Sequence, residues 1–409
     1  MEHNWLFRSK IMPEVVEGNV ECTPDEVDYE GERIGLLNRH FQSMIDRKLI
    51  LSGSYCMARD GKVFADNALG HFANDERFDK PFEPDTIYNI ASITKEITAV
   101  AILKLVEDGM IRLDQPVCEI IDEFNTPPFN GINILQIITH TSGLHTDIGT
   151  HEDKYAEGWW KLVDENDVAG TWITAILKKG LRTPPGTEWS YSSAGYMILG
   201  EIISRVSGIQ VEDYIIEYIL KPCEMTDTHW RSELNDEIIK RHNIRTKEDV
   251  EVYEEYLKIG LEAMKKDEEK WNALPPTAGG LMSTSHDLAK FGLMILNDGV
   301  YNGKRIIGRK ALEMMRMDQT EPEVKDWCWG NPGWHRTYGV GTDLLQLKIN
   351  KQQLISNNVI CHEGYGNCCL MIDYEEQFVA VWSAQYYNNG DWYGECLRNV
   401  ASIMWSGLK

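Results

Sequence analysis

Residues 91–109 read ASITKEITAVAILKLVEDG, and this stretch decides the fold. From Ile93 to Val106 the run is apolar on nearly every face of a helix, and Gly109 stands where a helix C-cap belongs. A surface helix shows one apolar stripe; this pattern predicts a central helix buried all round. Ser92 falls in its first turn, where unpaired backbone N–H groups and the helix dipole favour a developing anion. Lys95, three residues on, shares a helix face with the Ser92 hydroxyl. Burial lowers a lysine's pKa and lets Lys95 take the serine proton, which makes Ser92 a nucleophile. Alone, the tetrapeptide Ser92-Ile93-Thr94-Lys95 is weak, because an N-cap serine followed by a surface lysine reads the same way. Ser406-Gly407-Leu408-Lys409 repeats the pattern at the end of the chain, with no helix after it to bury the lysine.

Upstream, Leu49 to Arg59 and Lys62 to Leu69 flank Asp60-Gly61, the turn chemistry of a β-hairpin. From about 110 to 275 the pattern is mostly helical, broken at Pro127-Pro128 and Pro184-Pro185-Gly186. Within it, Arg231 to Lys270 is rich in charge and reads as solvated helix, an insertion or a lid. A further helix is predicted over Ser285 to Asn297. The C-terminal part turns β-rich: Asn358 to His362, Cys368 to Tyr374 and Phe378 to Gln385 alternate, with a turn at Glu375-Glu376 and a last amphipathic helix from Tyr393. Strands at both ends and helices between them predict an α+β fold. Residues 1–109 and 276–409 are expected to form a discontinuous α/β domain around an antiparallel sheet, with 110–275 inserted as a mostly helical domain. A nucleophile on a helix between the two would lie in a cleft.

With 409 residues, 43% of them hydrophobic, the chain can build a sizeable core and a disordered reading fails. A net charge of −23 repels nucleic acid and anionic membrane, and no basic stripe relieves it. The N-terminus lacks the basic start and apolar core of a secretion signal, and no apolar stretch approaches the roughly 20 residues of a membrane span. Nine cysteines, an odd number, suit reduced thiols better than a disulfide framework. A cytoplasmic location is therefore expected. No phosphate loop, dinucleotide fingerprint or His-Glu-x-x-His occurs in the needed context, so no cofactor and no metal are expected.

Five blocks, in order, make the tetrapeptide specific. Phe82-Glu83-Pro84-Asp85-Thr86-Ile87-Tyr88-Asn89-Ile90-Ala91 leads into Ser92, and Leu135 to Leu144 reads LQIITHTSGL. Pro185-Gly186-Thr187 precedes Trp189-Ser190-Tyr191-Ser192-Ser193 and Gly195-Tyr196. Ala278 to Thr284 with Asp287 to Phe291, and then His362-Glu363-Gly364, complete the set. Across residues 80 to 385 the chain resembles the class C β-lactamase-related branch of the serine β-lactamase and penicillin-binding-protein superfamily. That branch also holds esterases, D-aminopeptidases and acyltransferases.

The resemblance implies the β-lactamase/transpeptidase-like fold, with the site between sheet and helical domain. It also implies that Tyr191 is a phenolate-like general base, or the acid that protonates the leaving group, poised by Lys95. Tyr386-Tyr387-Asn388-Asn389 offers literal Tyr-x-Asn matches, but these fall after the third motif and lack the Pro-Gly-Thr lead. Ser193 takes the place of the motif's asparagine and can still bond Lys95 or a substrate amide. The backbone N–H groups of Ser92 and Tyr365 are expected to form the oxyanion hole. His362, Glu363 and Gly364 are expected to line the cleft, Gly364 allowing close approach of a substrate backbone. The aromatic loop Trp327-Cys328-Trp329 with Asn331-Pro332-Gly333 and Trp334 is a candidate rim; Trp159-Trp160 and Trp172 could also wall a pocket, though a lone aromatic is more often core than ligand contact. His140 and His145 read as structural. Cys361, His362, Cys368 and Cys369 suggest zinc only superficially, since neighbours on a strand point to opposite faces.

The expected function is a serine hydrolase with an acyl-serine intermediate, acting on a small-molecule ester, amide or peptide as an esterase, amidase or D-amino-acid peptidase. An acyltransferase, a β-lactamase or penicillin-binding protein, and a non-catalytic scaffold are the alternatives. His362 is a softer carboxylate anchor than lysine and Glu363 adds negative charge, so substrates with a carboxylate at that end are expected to bind poorly.

Overall fold

The computed structural model describes residues 15–147, 171–267, 274–326, 328, 333–344, 354–365, 368–386 and 392–409. Its main sheet has seven strands: β1 (Val16–Glu17), β2 (Ile50–Arg59), β3 (Lys62–Gly70), β4 (Asp343–Leu344), β5 (Val359–Gly364), β6 (Cys368–Asp373) and β7 (Phe378–Tyr386). They lie in the order β1-β3-β2-β7-β6-β5-β4, every neighbouring pair antiparallel. Asp60 (φ 52°) and Gly61 (φ 80°) both sit in the left-handed region, as the tight turn of the β2–β3 hairpin requires. The N-terminal and C-terminal strands meet at β2 and β7, with Phe378 opposite Arg59.

Alternation along the strands, shifted at an irregularity between Met57 and Ala58, gives the sheet two apolar faces. Tyr55, Met57, Phe64, Cys369, Met371 and Trp382 pack with helices α1 (Glu32–Asp46) and α5 (Val400–Trp405). Cys56, Ala58, Leu370, Ile372, Val379 and Val381 belong to the core on the other side. That core includes helix α2 (Thr94–Glu107), helix α3 (Ser193–Ser207) and helix α4 (Ser285–Leu296). Every residue of α2 from Thr94 to Leu103 is buried, so the helix is enclosed on all faces, as its sequence predicts.

Between Met110 and Leu274 the described chain is mostly short helices and 3-10 turns. It also carries strand pieces at Glu188–Trp189 and His229–Trp230. The charge-rich segment contains the helix Lys247–Ile259, opened by a capping box in which Thr246 Oγ1 accepts from Asp249 N (3.1 Å) and Asp249 Oδ2 from Thr246 N (2.7 Å). Most of this helix is exposed, while Val250 and Tyr256 are buried. The segment is tied down by bridges from Ile87 to His242 and from Ala73 to Ile244. Among the described residues, no helix is long and apolar enough to cross a membrane.

Candidate active site

Ser92 lies in a 3-10 turn, Ala91–Ile93, that runs directly into α2. Three attachments set its position. Asn89 Oδ1 accepts from Ala91 N at 2.6 Å, in a turn where Ala91 takes a left-handed φ of 45°. A β-carbon in that region costs on the order of 1–3 kcal/mol, which the surroundings must hold in place. The short strand Tyr88–Asn89 pairs with Leu281–Ser283, and Leu281 N donates to Thr94 Oγ1 at 3.2 Å. Finally, β5 closes on the turn from the sheet side. A Cβ on Gly364 would sit 2.4 Å from the Ile90 carbonyl oxygen and 2.3 Å from Cys368 Sγ, so the demand for glycine comes from the chain's own packing.

Lys95 is fully buried. Its Nζ lies 3.1 Å from Ser92 Oγ, 3.2 Å from Ser193 Oγ and 2.6 Å from the Ala278 carbonyl oxygen. Burial pulls its pKa down to about 8, against the upward pull of the Asp147 carboxylate. The three contacts match the amine in both protonation states. An ammonium has three N–H groups for three acceptors. The neutral amine keeps two, for Ser193 and Ala278, and turns its lone pair to Ser92.

Tyr191 is also buried, and Lys95 Nζ lies over its ring, 4.7 Å from the centroid. Burial holds the phenol well above its ordinary range, offset in part by a hydrogen bond with Ser92. The group therefore rests as a neutral acid. His140 packs against the Tyr191 ring at 4.5 Å, and its Nδ1 accepts from Ser192 N at 3.1 Å. Burial keeps the His140 imidazole neutral, with its pKa well below the usual value. It supports the Tyr191 loop. Trp172 is core, and His145 is not among the described residues that line the cleft.

A cleft of about 640 Å³ opens over Ser92. Among its described walls are Ser193, His362, Glu363, Gly364 and Tyr365, all of which the sequence pointed to. His362 lies on the Tyr191 side, ring centroids 6.4 Å apart, and burial with the Lys95 charge drives its pKa down to about 3. It is a neutral wall at physiological pH. Glu363, one residue on, turns the other way and accepts from Trp392 Nε1 at 2.6 Å; burial raises its carboxyl pKa. The Tyr365 side chain, 85% exposed, stands at the rim with Tyr393.

Trp334 does not join them. It is 60% exposed on a strand paired with Lys325–Asp326, and it is not among the described residues lining the cleft. Two positions further on, Arg336 does line it. Its guanidinium stacks over Trp189 at 4.6 Å and is held by Asp326 (3.3 Å) and Asp343. Trp159, Trp160, Trp327, Trp329, Asn331, Pro332 and Tyr387 to Asn389 fall outside the described residues. Cys361 and Cys369 face one core and Cys368 the other, which divides the supposed zinc cluster.

Asp147 is the residue that sequence reasoning missed. Its Oδ1 accepts from Ser193 N at 2.9 Å and its Oδ2 from Ser193 Oγ, placing a carboxylate behind the hydroxyl that touches Lys95. The Ala278 carbonyl was missed as well, although its block was recognised. The quoted motifs name side chains, and this contact is made by backbone.

"Protein flp" of Staphylococcus aureus (strain MW2) is 32% identical over 209 residues, which is 50% of this chain and 38% of that protein. The chain thus spans well under half the length of this curated relative. A penicillin-binding protein homologue from Caulobacter crescentus superposes with a TM-score of 0.70 at 18% identity, covering 96% of this chain and all of that one. EstCE1, described as a hydrolase with promiscuous acyltransferase activity, gives 0.71 at 16% identity, covering 92% of this chain and 99% of its own. Both structures share the β-lactamase/transpeptidase-like fold. The Beta-lactamase family model matches residues 37–395, a span that holds the main sheet from β2 to β7 and the whole described cleft, and the chain therefore belongs to the Beta-lactamase family.

Proposed function

We propose that the protein is a serine hydrolase that forms an acyl ester on Ser92 and gives the acyl group to water, with a neutral ester or an amide bearing a free amine as its substrate. The observation that carries this reading is the three-way setting of Lys95 Nζ among Ser92, Ser193 and Ala278. A buried lysine with a pKa near 8 is partly neutral at working pH and faces the hydroxyl it must deprotonate. As Ser92 Oγ bonds to the acyl carbon, its proton passes to Lys95, and the carbonyl oxygen takes the charge toward the N–H groups of Ser92 and Tyr365. Tyr191 then protonates the departing group, and Lys95 restores the Tyr191 proton. Water repeats the sequence to release the acid.

The charges at the cleft support this substrate class. Among the described lining residues the acidic side chains Asp147, Asp343 and Glu363 outnumber Arg336, and Arg336 is already paired with aspartates. His362 offers no positive charge to a substrate carboxylate. On this reading residues 110–275 contribute Asp147, Tyr191 and Ser193, while 1–109 and 276–409 contribute Ser92, Lys95, His362 and Arg336 on the facing wall. The deciding experiment is intact-mass analysis after treatment with a serine-reactive phosphonate. One adduct on the wild type and none on Ser92→Ala is expected; an adduct that persists in the variant overturns the assignment.

A further inference from the structure

Away from the cleft, the β2–β3 hairpin sets Cys56 directly opposite Asp66. Directly paired residues project from the same face of a sheet, and here that face lies under α4. The second residue of α4 is His286, whose Nδ1 lies 2.9 Å from Asp66 Oδ2. One donor atom from each of Cys56, Asp66 and His286 lies within 4.8 Å of the others. None of the three lines the catalytic cleft.

We propose that Cys56, Asp66 and His286 form a binding site for one divalent transition-metal ion of the zinc class. Thiolate, carboxylate and imidazole are the donors such an ion takes, and three protein ligands leave a fourth position for water. Asp66 supplies the independent observation. It is 2% exposed, and its Oδ1 has no hydrogen-bond partner among the described residues. Oδ2 is engaged by both Asn19 N (3.1 Å) and His286. Leaving a buried carboxylate oxygen without a donor is unfavourable, and a cation at this point removes that cost. Entry is from the His286 side, where the imidazole is 26% exposed.

The site also has structural leverage. Ser285, next to His286, bonds Ser54 Oγ at 2.8 Å and Tyr88 Oη at 2.9 Å. Tyr88 begins the strand that leads into the Ser92 turn. An ion held here braces α4 against the hairpin one residue from that network.

The test is titration of the metal-free full chain with Co²⁺, read as a thiolate-to-cobalt charge-transfer band in the near ultraviolet, with Zn²⁺ as competitor. One equivalent is expected to bind, and Zn²⁺ should raise Tm. Cys56→Ser should lose the band, and Asp66→Asn and His286→Ala should each weaken Co²⁺ by more than the roughly 10–100-fold that an outer partner costs. No band in the wild type, or an equal band in Cys56→Ser, overturns the proposal, the latter by assigning the ion to another of the nine cysteines. Should Cys56→Ser fail to fold, the partly exposed His286 decides: unchanged Co²⁺ affinity in His286→Ala overturns it too.

Discussion

Asp147 stands behind Lys95, joined to it through one hydroxyl: Ser193 Oγ donates to Asp147 Oδ2 and accepts from Lys95 Nζ at 3.2 Å. The carboxylate raises the Lys95 pKa, against the lowering effect of burial. Asp147→Asn should therefore shift the midpoint of the pH–kcat/KM profile down from about 8, by about one unit, the size expected for removing one nearby opposite charge. Were Asp147 only a prop for its loop, the rate would fall with the midpoint unmoved.

In the proposed mechanism Lys95 and Tyr191 divide the proton work in a way that pH can separate. A base with a pKa near 8 predicts that kcat/KM rises with pH through that value as the amine becomes neutral. Tyr191, held neutral by burial, is the acid of that mechanism. Tyr191→Phe should lower kcat roughly 10²–10⁴-fold and leave the ionisation near 8 in place. Loss of that ionisation in the variant would make the phenol the base.

These two residues also mark how far sequence reasoning reaches. Ser92 and Lys95 were legible as candidates because the requirement on each is local: a hydroxyl in the first turn of an all-apolar helix and a lysine three residues on; Tyr191 was reached through the family resemblance of its block. The sheet was legible for the same reason, since period-2 alternation and Asp60-Gly61 are short-range patterns. Asp147 was not, because its bond to Ser193 spans 46 positions and no periodicity marks it. Arg336 was passed over for Trp334, because an aromatic reads as a rim. Its placement depends on stacking over Trp189 and pairing with Asp326 and Asp343, a tertiary fact. His362 and Glu363 read as one mixed-charge pair, yet strand alternation sends them to different partners.

Glu96, next to Lys95, is fully buried and accepts from Thr342 Oγ1 at 2.7 Å. Burial pushes its pKa up to about 8, from about 4.5 in the open chain. The folded state holds the proton that the unfolded state releases, so Glu96 contributes stability that is fully present below pH 4.5 and lost progressively up to about 8. Glu96→Gln removes that dependence. Chemical denaturation at pH 5 and pH 8 should show the wild type losing stability relative to the variant, with a slope of at most about 1.4 kcal/mol per pH unit. Parallel curves would show Glu96 to be ionised in the fold.

Gly364 is the point where β5 touches the turn that carries Ser92, and an added Cβ would meet the Ile90 carbonyl at 2.4 Å. Backbone cannot swing aside as a side chain can. Gly364→Ala should cost about 1–3 kcal/mol and lower Tm by several degrees. Because Ile90 is two residues from Ser92, phosphonate labelling should slow by more than tenfold under conditions where the variant is still folded. Unchanged labelling would detach the strand from the placement of Ser92.

The neutral His362 has the broadest consequence for substrate choice. With its pKa down at about 3, His362 is neutral at pH 7 and offers no cation, and Arg336, which lines the cleft, is held by two aspartates. A carboxylate entering here must lose water without gaining a charged hydrogen bond, a difference of about 1.5–3 kcal/mol. A chromogenic cephalosporin should therefore give a kcat/KM at least about tenfold below that of a neutral aryl ester or a D-alanyl anilide. His362→Lys should recover part of the deficit, as a lower KM for the cephalosporin with little change for the neutral ester. A wild-type preference for the cephalosporin would mean that the carboxylate finds its partner elsewhere, with Arg336, released from Asp343, the first group to test.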